Sequence, residues 1–259
     1  MRKYLNSSNV LIKNNQIVQI QNKGQSKISQ ISSTLKDNYL LYDISNCFLG
    51  GQNYGLKLEI SKSHVLVVNN HELLVCDDDE TKKTVSSLRI DIIDDSFVEY
   101  FGDNIKVQNN YDFLDLTSIN LTPMSSLVYL SSIESSIKDI PELLKLQTKI
   151  AVGGEIVTNQ ISSLTEHNDF RMLGLFNKFS NYDRLFVIHP LIDEEYVQHA
   201  NSVIGQIKLQ GFYDIHLLNV SGFVLHLLTY DKESSKQVIK KCCNLVRTEL
   251  LHLDPFSNK

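Results

Sequence analysis

Between Ser86 and Gln160 the apolar and polar positions change period repeatedly, at a spacing that predicts a layered α/β sheet. SLRIDIID (87–94) alternates as a strand, SFVEYFG (96–102) reads as a helix, and NIKVQ (104–108) returns to a strand. After a polar connection over 111–124, SSLVYLSSI (125–133) predicts a strand, DIPELLKLQ (139–147) a helix and TKIAVGGEIV (148–157) a further strand. Crossovers of this length make consecutive strands parallel and lay the intervening helices on the sheet faces.

Upstream, NVLIKNNQIVQIQ (9–21) predicts a hairpin turning at Asn14-Asn15, because Asn tolerates the positive φ of a two-residue turn. Ser26 followed by Ile28, Ile31 and Leu35 has the spacing of a capped amphipathic helix ending near Asp37. YLLYDI (39–44) predicts a buried strand, and the alternating residues after Gly55 a meander that turns at Asn69-Asn70. The charge run CDDDETKK (76–83) carries no apolar stripe and predicts a linker, so we divide the chain into a hairpin, helix and meander module at 1–80 and a Rossmann-like domain at 84–259.

Downstream, YDRLFVIHPL (182–191) predicts a strand. Asp193, Glu194 and Glu195 then open a helix with Val197, Ala200, Ile204 and Ile207 on one face. A hairpin turning at Ser221-Gly222 and a closing helix from Lys232 to Leu253 complete the chain, with Cys242 in the apolar stripe of that helix. The expected fold is α/β: a three-layer Rossmann-like arrangement with a mostly parallel sheet and a C-terminal hairpin, preceded by a small β-rich module.

Composition narrows the function. A chain of 259 residues that is 42% apolar and 21% charged can bury a core without metal or disulfide staples. Its net charge of −5, with Lys and Arg scattered, gives no nucleic-acid footprint. Cys47, Cys76, Cys242 and Cys243 form no CxxC pair and point to reduced thiols in a cytoplasmic compartment. The N-terminal MRKYLNSSNV has no apolar core of a signal peptide, and no run approaches the roughly 20 apolar residues of a membrane span.

Candidate chemistry clusters at predicted strand ends. Where a Rossmann fold carries GxGxxG after its first strand, this chain has Asp94 and Asp95, which repel a pyrophosphate but could hold a cation. Glu134 follows a later strand, and Gly153, Gly154 and Glu155 end another, a pattern that lets a cofactor approach the backbone. His189 stands at a strand end before Pro190, where an imidazole of near-neutral pKa can act as acid or base. Asp94, Asp95, Glu134 and His189 are thus the candidate catalytic residues, and Gly153, Gly154 and Glu155 the candidate cofactor contacts; no metal-ligand set and no specific cofactor is indicated. No P-loop, GxSxG, HExxH or kinase motif occurs. The expected function is a non-catalytic or degenerate Rossmann-like subunit that binds a protein partner in a complex. The alternative is a group-transfer enzyme, working by Mg-assisted phosphoryl transfer or methyl transfer at the carboxyl edge of the sheet.

Overall fold

A computed structural model describes residues 6–31, 38–44, 47–49, 52–68, 73–76, 83–107, 112–135, 143–165 and 179–256. Period-two segments dominate it. The first strands are β1 (Asn6–Lys13), β2 (Gln16–Lys23), β3 (Ser26–Ile31), β4 (Asn38–Ile44), β5 (Cys47–Leu49), β6 (Asn53–Ser61), β7 (His64–Val68) and β8 (Leu73–Cys76). The middle of the chain adds β9 (Thr84–Ile93), β10 (Phe97–Val107), β11 (Asp112–Leu121), β12 (Ser126–Ser135), β13 (Leu143–Val152) and β14 (Glu155–Thr165). After β15 (Asn181–Ile188) come helix α1 (Glu194–Gly205), strands β16 (Gly211–Leu217) and β17 (Gly222–Thr229), and helix α2 (Lys232–Glu249).

The strands form two sheets, one of seven strands in the order β14-β13-β11-β9-β6-β1-β2 and one of ten that includes β16-β17-β15-β12-β10-β7-β4-β3. In the seven-stranded sheet β1, β6, β9, β11 and β13 run parallel to one another, as do β7, β10 and β12 in the other sheet, and β2, β14 and β15 flank these sets antiparallel. In the middle of the chain the parallel crossovers run through the opposite sheet: β6 leads to β7, β9 to β10 and β11 to β12 across short turns. Strands on both sides of residues 77–82 are hydrogen-bonded neighbours in both sheets, β6 with β9 and β7 with β10.

This packing makes two cores. The first lies between the sheets, around Leu58, Ile90, Ile119, Tyr129, Ile150 and Phe186. The second lies between the outer face of the ten-stranded sheet and the two helices, around Val128, Leu185, Phe223, Val238, Cys242 and Val246. The layers are therefore sheet, sheet and helix.

This corrects the three-layer Rossmann-like expectation, for the chain is mostly strand with mixed sheets. FVEYFG of the expected helix SFVEYFG is the start of β10. Val98 and Tyr100 enter the core between the sheets, while Phe97 and Phe101 pack toward the helices, so both faces are apolar and the alternation is hidden. DIPELLKLQ contributes to β13, whose Leu144 and Leu146 point inward beside the less buried Lys145 and Gln147. The expected helix from Ser26 is strand β3 as far as Ile31, and residues 32–37 lie outside the described residues. The meander is corrected as well: β6 and β7 are in different sheets, and the turn at Asn69-Asn70 lies outside the described residues.

Other expectations match. β1 and β2 form an antiparallel hairpin whose turn residues Asn14 and Asn15 have φ of 51° and 57°. β16 and β17 form the C-terminal hairpin. Asp193 caps α1 by accepting from the Tyr196 N–H at 2.8 Å, and Asp231 caps α2 by accepting from that of Ser234 at 2.7 Å.

Candidate functional site

The seven-stranded sheet delivers β1, β6, β9, β11 and β13 to one edge, where a row of turns is tied together by side chains. Asn14 N–H donates to Ser61 O at 3.0 Å, and Asn15 N–H to Ser63 Oγ at 2.8 Å. Ser63 N–H reaches Ser96 Oγ, and Ser96 N–H reaches Ser125 Oγ, each at 3.3 Å. Asp94 and Asp95 belong to this row. Both are exposed with φ of 54° and 57°, and Asp94 Oδ2 accepts from Ser61 Oγ at 2.8 Å. Gly153 and Gly154, at φ of 60° and 91°, make the neighbouring turn. An added Cβ at 153 would stand 3.3 Å from Pro123 Cγ.

A cavity of about 390 Å³ opens beside that turn, lined by Gly153 and Glu155 together with Pro123, Ile188 and Pro190. The structure thus brings Gly153 and Glu155 to the residue that follows His189. His189 itself is half-buried and fixed in its own turn: Nδ1 accepts from Leu191 N–H at 3.2 Å, and burial lowers its pKa, which favours the neutral imidazole. Glu134 lies elsewhere. Ser126 of β12 bonds to the turn edge, and Glu134 stands eight residues further along the strand, roughly 26 Å away.

Around Glu134 the structure assembles a second constellation, on the helix side of the ten-stranded sheet. Its carboxylate accepts from Lys232 Nζ at 3.1 Å and lies 3.5 Å from Lys106 Nζ. Nearby Asp183 is buried beneath α2 and accepts hydrogen bonds from the hydroxyls of Ser132 and Ser235. Burial pushes its pKa up to about 7 despite those donors and the Lys232 charge. Asp183 and Ser235, with Lys232, line one end of a cavity of about 460 Å³ between α2 and the sheet.

The far wall of that cavity is positioned by a buried ion pair. Glu99, fully buried on β10, pairs with Arg247 near the end of α2, and His64 Nε2 lies 3.1 Å from the same carboxylate oxygen. Arg247 Nε donates to Asp254 O at 2.8 Å, and its guanidinium sits 4.2 Å from the centroid of Phe256. Phe256 in turn meets Phe101 edge-on at 5.8 Å, and its N–H donates to Asn244 Oδ1 at 2.8 Å.

A third polar group lies between the sheets. Arg184 is fully buried with its guanidinium 5.9 Å from the ring centroids of Tyr182 and Phe186, and Nη2 donates to Ser131 Oγ at 3.1 Å. Asp115 on the facing sheet is likewise buried, and burial raises its pKa to about 6 against the opposing pulls of Ser86 and Arg184. Sequence reasoning passed over Asp183 and Arg184, although adjacent charges inside the apolar run YDRLFVI were the available signal.

No helix among the described residues is long and apolar enough to cross a membrane. No family model matches the chain. Over 244 residues it is 24% identical to the urease accessory protein UreD of Streptococcus thermophilus, in strains CNRZ 1066 and ATCC BAA-250 / LMG 18311. It is equally similar to the urease accessory protein UreD of Streptococcus salivarius strain 57.I. In each case the match covers 91% of this chain and 88% of the relative.

Proposed function

We propose that this chain is a non-catalytic accessory subunit that acts on urease by binding it as a protein partner. The observation that carries the reading is the near coextensive similarity to proteins named as urease accessory proteins, 91% of one chain against 88% of the other. A similarity that runs end to end suits a shared role of the whole molecule better than one shared local motif.

The geometry supports a binding role. β2 is an edge strand of the seven-stranded sheet, with Val18 at 59% exposure, and β16 is an edge of the other sheet, with Phe212 at 64%. Open strand edges and exposed apolar side chains are surfaces on which a partner can settle. The role is also consistent with a reducing, cytoplasmic setting, where the buried Cys242 keeps its thiol protonated because burial raises its pKa to about 12.

The test is reconstitution. Urease produced together with the other accessory components of its source, but without this chain, is expected to show at least about tenfold less activity than urease produced with it. Equal activity in the two preparations would overturn the proposal.

A further inference from the structure

One level of the core between the sheets is polar. On β11 Asp115 stands opposite Ser86 of β9, and Thr117 opposite Thr148 of β13. On the facing sheet Ser131 of β12 stands opposite Arg184 of β15. The two faces meet at this level, for Thr117 Oγ1 and Tyr129 OH lie 3.0 Å apart. Asp115 is two residues from Thr117, and Ser131 two from Tyr129, each on the side away from the row of turns, so Asp115 faces the Ser131–Arg184 pair. The charge of Arg184 accordingly acts on the Asp115 carboxyl.

The hydrogen bonds of this level are incomplete on both sheets. Arg184 Nη2 donates to Ser131 Oγ at 3.1 Å, and Asp115 accepts from Ser86. Asp115 Oδ2, Thr148 Oγ1 and Arg184 Nη1 are shut off from solvent, and none has a hydrogen-bond partner among the described residues. Buried polar atoms are nearly always paired, since taking them out of water without a partner is costly. The three atoms are chemically complementary: a guanidinium only donates, a carboxylate accepts, and a hydroxyl does both. A molecule that accepts from Arg184, donates to Asp115 and exchanges a bond with Thr148 satisfies all of them. Water does this with three bonds, the usual number for a buried water. Short side chains leave room for it, because Leu146 and Ile150 flank Thr148 on β13, and Tyr129 and Ile133 flank Ser131 on β12. A charged guest suits the site less well: a cation would stand against Arg184, and an anion against Asp115.

We propose that the sandwich has a built hydration site in its interior, where bound water joins Asp115 Oδ2 and Thr148 Oγ1 of the seven-stranded sheet to Arg184 Nη1 of the ten-stranded sheet. The water is then part of the contact that holds the two sheets in register, a polar tie inside an apolar core. The site belongs to the folded chain itself and does not depend on which partner the chain binds.

A crystal structure of the full chain tests this directly. The expected result is an ordered water within about 2.5–3.2 Å of both Asp115 Oδ2 and Arg184 Nη1. Solution NMR supplies a second readout, a cross-peak between water and the Thr148 amide with the sign given by bound water. Thr148→Val keeps the shape of the side chain and removes one of the three partners, so it is expected to weaken that cross-peak by at least about twofold. Ser118→Ala, on the outer face of β11, is expected to leave it unchanged. A direct hydrogen bond between Asp115 and Arg184 in the crystal, or a dry gap between them, would overturn the proposal. A metal ion located there by anomalous scattering, or a bound anion, would overturn it as well, and so would an unchanged cross-peak in folded Thr148→Val. If that variant does not fold, the crystal structure of the parent chain decides alone.

Discussion

At the scale of single residues, the buried acids make stability depend on pH in an unusual direction. Asp183, with a folded pKa of about 7 against an ordinary 3.8, keeps a proton in the native state that the unfolded chain has lost. Raising the pH through that window therefore costs stability. Asp115 acts in the same direction up to about 6. His226 opposes them: burial and the nearby Arg184 hold its pKa down to about 4 against 6.5, so the unfolded chain binds the extra proton and stability rises with pH between those values. Above pH 6.5 that opposition fades as the unfolded imidazole loses its remaining proton. Stability by urea unfolding is expected to fall by roughly 0.5–1 kcal/mol from pH 6.5 to 7.5, and Asp183→Asn should flatten that decline. An unchanged slope in the variant would show that another group titrates there.

The same scale shows what was legible in particular letters. Asn14-Asn15, Asp94-Asp95 and Gly153-Gly154 are three residue pairs that hold positive φ at turns of one edge. Read singly, the first signals a turn, the second a cation site and the third a ligand cradle. Their common property is tolerance of the left-handed region, by local hydrogen bonding in Asn and Asp and by the missing Cβ in Gly. Asp183 and Glu134 left a weaker trace, because their meaning depends on which face of a strand meets a helix far along the chain.

At the scale of elements, strands that the sequence marks clearly are those with one polar face, such as the N-terminal hairpin, or those closed by a proline, such as β15. β10 misleads because it is apolar toward both the facing sheet and the helix layer. Its Glu99 looks like the polar position of an amphipathic helix, yet it is a fully buried partner of Arg247. Removing one member of such a pair strands the other charge. Arg247→Leu is expected to cost about 3–5 kcal/mol of unfolding free energy, and Glu99→Leu/Arg247→Leu to recover most of it. A loss below about 1 kcal/mol in chemical denaturation would mean that Glu99 is adequately held by His64 alone. The pair also links the end of α2 to the sheet and, through Phe256, to the wall of the cavity beneath that helix.

At the scale of the whole molecule, the sequence conveys a layered arrangement with parallel strands but misassigns the layer that makes the crossovers. Parallel strands usually imply helical returns, and here strands of a second sheet make them. A pattern of short apolar segments looks similar in both cases, since each crossover places one strand before and one after a segment that is buried on one or two faces. The consequence for function is a change of surface. A doubly wound sheet would place a site at its carboxyl edge. This sandwich has a hydrogen-bonded row of turns there, and a cavity of about 460 Å³ opens on its helix side beneath α2.

The proposed role requires that the folded chain bind urease. Size-exclusion chromatography with light scattering on the purified chain mixed with purified urease at micromolar concentration measures this most directly. The expected result is a co-eluting complex whose mass equals urease plus a whole number of copies of this chain. Separate elution of the two proteins at that concentration would contradict it.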